Sequence, residues 1–147
     1  MKDKCIILEL IPTKFIGGDI VQLSALKIDG LKLIDRFDYR LDEDKIIYPD
    51  LLKIISYDKD KFIYVSNTKE LLNMFKKWSK KLPIYILDNK YTYNYLKDLK
   101  NKKYFIEEQL NLEYTDDIID IIIDKYNLEP SDYIVDLLYE ALMYEKS

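Results

Sequence analysis

The strongest apolar pattern in the chain is Cys5-Ile6-Ile7-Leu8-Glu9-Leu10-Ile11-Pro12-Thr13, a near-continuous run holding one carboxylate. A run this short, bounded by Pro12 and Gly17-Gly18, predicts a strand covered on both faces at the centre of a mixed sheet. Asp19 to Ile28 carries a second strand signature in Ile20, Val21, Leu23, Ala25, Leu26 and Ile28. Asp29-Gly30 supplies a two-residue turn, since glycine accepts positive φ. Leu31 to Tyr39 gives a third strand, with Leu31, Leu33, Phe37 and Tyr39 on one alternation and Lys32, Asp35, Arg36 and Asp38 spread over the rest. Together these predict a three-stranded antiparallel meander. Between Leu41 and Asp50 the acidic Asp42-Glu43-Asp44 and Pro49 break the pattern into a surface loop. Pro49-Asp50 then opens a short helix through Leu51, Leu52, Ile54 and Ile55, and Tyr57 to Val65 reads as an extended connection with Phe62 and Tyr64 inward.

Helical spacing takes over at Asn67. With Glu70 three residues on it makes a capping box, and Leu71, Leu72, Phe75 and Trp78 recur on one face. The opposite face carries Lys69, Lys76, Lys77, Lys80 and Lys81. After Pro83, the run Ile84-Tyr85-Ile86-Leu87 suits an inner parallel strand reached by that helical crossover. Tyr91 to Leu99 predicts a helix, and Tyr104-Phe105-Ile106 a short strand. Thr115 caps a helix begun by Asp116-Asp117, with Ile118, Ile119, Ile122, Ile123 and Tyr126 as its buried stripe. Pro130-Ser131-Asp132 starts a last helix containing Val135, Leu137, Leu138, Ala141, Leu142 and, among them, Asp136. The order predicts an α/β fold: a mixed sheet flanked by helices, as a single domain over residues 1–147.

Composition narrows the chemistry. The chain contains no histidine, which excludes every mechanism needing an imidazole base or ligand, the serine and cysteine triads among them. Its single cysteine, Cys5, forms no internal disulfide and reads as a small core hydrophobe. No apolar run approaches the roughly 20 residues of a membrane span, so a soluble, cytoplasmic protein with no membrane partner is expected. Gly17-Gly18 lacks the spacing of a phosphate loop. Charge is uneven: residues 69–103 carry 10 basic and 3 acidic side chains, residues 104–147 carry 2 and 12. A basic middle and an acidic end suit either a nucleic-acid face with a solvated rear or two surfaces that attract each other.

Glu9 has two readings: an acid near a strand exit that reaches water or a basic partner, or the remnant of a metal-binding carboxylate pair. The second gains weight from a resemblance. The element order, the segment Ile20 to Gly30 followed by Leu33-Ile34-Asp35-Arg36-Phe37, and Ser131-Asp132-Tyr133-Ile134-Val135-Asp136 in the last helix resemble the DEDD (DEDDh-type) 3′–5′ exonuclease superfamily. These are ribonuclease H-like nucleases typified by the epsilon subunit of bacterial DNA polymerase III and by ribonuclease T. The resemblance implies a ribonuclease H-like sheet and four carboxylates around two divalent ions.

Here the resemblance lays the first acidic motif on Glu9-Leu10-Ile11, with Ile11 where an essential Glu belongs. The second falls on Asp88 to Tyr93, with the metal-binding Asp at Thr92 or Tyr93 and Asp88 out of register. The third keeps Asp136 and has Ser131 in place of the His. The implied remnant is therefore Glu9, Asp136 and Ser131, with Asp88 a weak further metal ligand and at most one weakly bound Mg2+ or Mn2+. Three functions are open on this basis. One is a catalytically impaired exonuclease-like protein binding a nucleic-acid end or another ligand in a cleft bounded by Glu9, Ile11, Thr13, Tyr91 and Asp136. On that reading Thr13, Tyr91, Lys76 and Lys80 contact single-stranded nucleic acid. Another is a slow metal-dependent exonuclease using Glu9, Asp88 and Asp136. The third is a protein adaptor or homodimer whose contact surface draws on Tyr91, Tyr93 and Tyr95.

Overall fold

The apolar run at Cys5 becomes the middle of the sheet because its neighbours on both sides have apolar strands to pair with it. A computed structural model describes residues 1–12, 18–42, 61–131 and 133–147. The expected helix at Leu51 to Ile55, most of the loop before it and Thr13 lie outside the described residues. Strands β1 (Lys4–Pro12), β2 (Ile20–Asp29) and β3 (Lys32–Leu41) form the antiparallel meander. Then follow β4 (Ile63–Val65), α1 (Thr68–Ser79), β5 (Ile84–Ile86), α2 (Lys90–Leu96), β6 (Lys103–Phe105), α3 (Ile106–Gln109), α4 (Ile118–Tyr126) and α5 (Ile134–Lys146). The fold is α/β, with one six-stranded mixed sheet in the order β4-β3-β2-β1-β5-β6, compatible with a ribonuclease H-like arrangement. The pairs β1–β5, β5–β6 and β3–β4 are parallel.

Alternate residues of β1 enter different cores, which is why the strand is apolar throughout. Ile6, Leu8 and Leu10 pack with Leu71 and Phe75 of α1 and Leu96 of α2. Cys5 and Ile7 pack on the other face with Ile118 and Ile122 of α4 and Val135, Leu138 and Leu142 of α5. Glu9 follows Cys5 and Ile7 in this alternation and so belongs to the α4/α5 face.

The third strand departs from the predicted single alternation. Ile28 pairs with Leu33 while Lys27 pairs with Asp35, leaving Ile34 as an extra, unpaired residue that is 53 % exposed. This bulge shifts the register by one, so Leu33 joins the α4/α5 core while Phe37 and Tyr39 join the other. Arg36, Asp38 and Arg40 consequently lie on the α4/α5 face, opposite Leu26, Ser24 and Gln22. The turn is carried by Gly30, at φ +68°, and Leu31.

Helix α1 is capped as expected at its first bond: the Glu70 amide donates to Asn67 Oδ1 at 2.8 Å. The return bond differs, since Glu70 Oε2 accepts from Ser66 and not from Asn67. Helix α4 begins after Asp117 with no side-chain cap from Thr115. Among the described residues no helix is long and apolar enough to cross a membrane.

Candidate ligand site at Glu9

Register places Glu9 at the carboxyl end of the parallel pair. Ile7 pairs with Tyr85, so continuing the ladder brings Glu9 level with Leu87, one residue past the end of β5. The crevice outside the carboxyl ends of parallel strands is where α/β sheets characteristically hold ligands. A cavity of about 160 Å³ lies there. Leu8, Glu9 and Leu10 form its floor, Leu87 and Asn89 the end of β5 and its exit, and Thr92 the first turn of α2. Tyr114 and Asp116 contribute from the segment before α4, Ile118 and Ile119 from α4, and Ile134 and Leu138 from α5.

Glu9 is held in this wall by strand pairing to Ser24, itself buried. Among the described residues no cation or hydrogen-bond donor meets its carboxylate. With apolar walls around it, desolvation pushes the Glu9 carboxyl up from 4.5 to about 8. Tyr114 is likewise raised, first by burial and then by the charge of Asp116, against a hydrogen bond from Asn89 that works the other way.

Asp136, on α5, does not line this cavity. Ile134 and Leu138 do, and residues two away on a helix point to another side. Its carboxylate accepts from Arg36 of β3, Nη1 to Oδ1 at 2.7 Å and Nη2 to Oδ2 at 3.4 Å. Arg36 Nε donates at 3.0 Å to Asp38 Oδ2 as well. Burial opposes the charge on Arg36, but the bonds to Asp136 and Asp38 outweigh it and hold its pKa above the usual value. Two acids thus share one guanidinium on the α4/α5 face, beside the row Glu9, Ser24, Asp38 that crosses three strands.

Other expected site residues scatter. Asp88 is exposed and does not line the cavity; its amide donates to Glu107 Oε1 at 2.9 Å and Oε2 at 3.2 Å. Ser131 is exposed, its Oγ accepting from the Tyr133 amide at 3.1 Å ahead of α5. Tyr91 is half-buried in the first turn of α2, its amide donating to Asn89 Oδ1. Of the two positions laid on the second acidic motif, Thr92 is buried in the cavity wall, whereas Tyr93 is 46 % exposed.

Lys76 and Lys80 lie elsewhere. With Lys81, Asp98, Lys100 and Asn101 they line a groove at the amino end of β5, the opposite edge of the sheet from Glu9. The Asn101 amide fixes that corner by donating to Lys80 O at 3.2 Å and Leu82 O at 2.9 Å.

No family model matches this chain, and no curated protein sequence matches it. Chemically, the cavity offers two acids, a tyrosine ring, a hydroxyl, an amide and aliphatic walls, and among the described residues no Lys or Arg lines it. Among the described residues no group of three or more His, Cys, Asp or Glu is placed to hold a metal ion. Arg36, Tyr114 and Asp116 were missed by pattern reading. Arg36 carried a usable signal, being one of only two arginines in the chain and flanked by acids at Asp35 and Asp38.

Proposed function

We propose that this protein is a degenerate 3′–5′ exonuclease-like protein that holds a ligand in the Glu9 cavity and does not cut nucleic acid. The observation that carries this reading is the bidentate grip of Arg36 on Asp136. A two-metal displacement needs clustered carboxylates whose charge is free to bind divalent ions. Asp136 gives its charge to a guanidinium, Asp88 stands outside the cavity, and Thr92 brings a hydroxyl to the cavity where a carboxylate would be needed. What remains is a recessed polar pocket at the carboxyl edge of the sheet, suited to binding.

A second reading rests on Asp116, which shares the cavity wall with Glu9. Two carboxylates can hold one Mg2+ or Mn2+ that keeps several waters, and slow hydrolysis with an altered carboxylate set would start there. The two readings separate in one experiment. A 3′-labelled single strand is incubated with the full chain and Mg2+ or Mn2+, and thermal melting is followed against each metal. The binding reading expects no nucleotide release and no saturable metal-induced rise in melting temperature. Mn2+-dependent release that disappears in Glu9→Gln overturns it in favour of the second.

A further inference from the structure

The Glu9 cavity is unbalanced. Its polar contributors offer two acids, and the side chains of Asn89, Thr92 and Tyr114 bring both donors and acceptors, yet among the described residues no cation lines it. Asn89 is already engaged, accepting from the Tyr91 amide at 2.9 Å and bonded to Tyr114. The rest of the wall is aliphatic: Leu87, Ile118, Ile119, Ile134 and Leu138. Glu9 is half-buried, and a desolvated carboxylate that no described residue pairs costs free energy that a bound cation recovers.

Three classes of ligand compete for such a site. Phosphates and other anions find two acids and, among the described residues, no basic side chain to neutralise them. A hydrated Mg2+ keeps a shell of waters that need acceptors on every side, and five aliphatic side chains supply none. An organic ammonium satisfies both halves of the cavity. Its three N–H donors address Glu9 at the floor and the acceptors at the rim, and its hydrocarbon body covers the aliphatic wall.

From the half-buried Glu9 carboxylate, which no described residue pairs, the exposed Asp116 carboxylate and the aliphatic wall that line one small cavity, we infer that the cavity binds a small primary amine in its ammonium form. A cavity of about 150 Å³ accommodates a benzene-sized body, which sets the apolar part at about four to six carbons. This names the ligand class for the binding reading above and rests on it.

The test is isothermal titration of the full chain at about pH 8.5, where Glu9 is largely ionised and an alkylamine is still an ammonium, with n-butylamine, with n-butanol as its uncharged counterpart and Mg2+ as the metal arm. Saturable 1:1 binding of butylamine is expected, with butanol and Mg2+ at least tenfold weaker. Glu9→Gln, which keeps the shape of the side chain without its charge, should weaken butylamine at least tenfold. Ile119→Phe, which fills the cavity and leaves the carboxylate in place, should weaken it similarly; circular dichroism melts confirm that both variants fold. Equal binding of butylamine and butanol, undiminished binding to Glu9→Gln, or no butylamine binding overturns the proposal. If butylamine fails and no nuclease activity or metal binding appears, the non-cleaving reading stands without its ligand class. If Mg2+ binds saturably and Glu9→Gln abolishes it, both fall.

Discussion

Arg36 of β3 and Asp136 of α5, a hundred residues apart in the chain, meet through two hydrogen bonds of 2.7 and 3.4 Å. Both side chains are about one-third exposed, so water screens the pair. Asp38, on the other side of Arg36, is only 10 % exposed and depends more on the guanidinium. Its second oxygen, Oδ1, is buried with no hydrogen-bond partner among the described residues.

Replacing Arg36 should therefore act through Asp38 more than through Asp136. Arg36→Gln is expected to lower unfolding free energy by about 1–2 kcal/mol, the range for losing hydrogen bonds to a buried charged group. In a double-mutant cycle with Asp136→Asn, the coupling should be only about 0.5–1 kcal/mol, as for partly exposed pairs. Urea denaturation of the four proteins measures both. A coupling near zero would mean that Arg36 does not hold Asp136 in solution, removing the main support for lost catalysis.

Glu9 should give the chain a distinctive pH response. Its carboxyl titrates at about 8 when folded and near 4.5 when exposed, so folding favours the protonated form. That contribution is complete below pH 4.5, shrinks as pH rises through the window, and is gone above pH 8. Asp116 and Tyr114 are the other titratable groups in the cavity wall; Tyr114, raised by burial, stays neutral throughout. Stability should thus decline from pH 5 to pH 8, and Glu9→Gln should flatten the decline. At pH 8.5 the variant should exceed the parent by an amount on the order of 2 kcal/mol. A tenfold change in proton affinity is worth about 1.4 kcal/mol, and the glutamine amide carries a burial cost of its own that takes back part of the gain. Parallel profiles for the two proteins would show that Glu9 has a partner in solution.

Asn101 tests how the amino end of β5 is built. It is buried and donates to the carbonyls of Lys80 and Leu82. Lys80 itself sits at φ +54°, a conformation that a lysine adopts only when its surroundings hold it. Asn101→Ala should cost about 1–2 kcal/mol by leaving two part-buried carbonyls without their donor. Asn101→Asp should cost more, because a carboxylate replaces the donor with a second acceptor. Chemical denaturation ranks them, and the reverse order would mean that the amide does not hold the corner.

How much of this could be read from the chain depended on whether the signal was local. Cys5 to Pro12 is apolar on both alternations because both faces are covered, and that is visible without coordinates. The helix at Thr68–Ser79 announced itself through Asn67 and Glu70. The Ile34 bulge was not visible, since alternation by itself does not tell an extra residue from a continuous strand. Helix α2 stops at Leu96 and not at Leu99, whose amide instead donates to the Leu96 carbonyl in a turn. At the site, Glu9 stood out as a charge inside an apolar run. Thr92, Asp116 and Arg36 are ordinary residues in their own segments; only packing of distant elements gives them a role. The same holds for Lys76 and Lys80, which the charge pattern grouped with Glu9 and the sheet places at its opposite edge.

That separation makes a final prediction about nucleic acid. Among the described residues Lys76, Lys80, Lys81 and Lys100 surround one groove with a single acid, Asp98, and none of the four lysines is ion-paired. The Glu9 cavity offers phosphate two acids and, among the described residues, no Lys or Arg. Any single strand that binds should therefore lie along the lysine groove and release counterions there. In fluorescence anisotropy with a labelled oligonucleotide, replacing Lys76 and Lys80 by Ala should reduce the slope of log K against log salt by roughly 1.4, about 0.7 for each phosphate that a lysine no longer neutralises. Glu9→Gln should leave that slope unchanged. If the lysine replacements do not alter the slope while Glu9→Gln does, the strand enters the cavity and the electrostatic division between the two edges of the sheet is wrong.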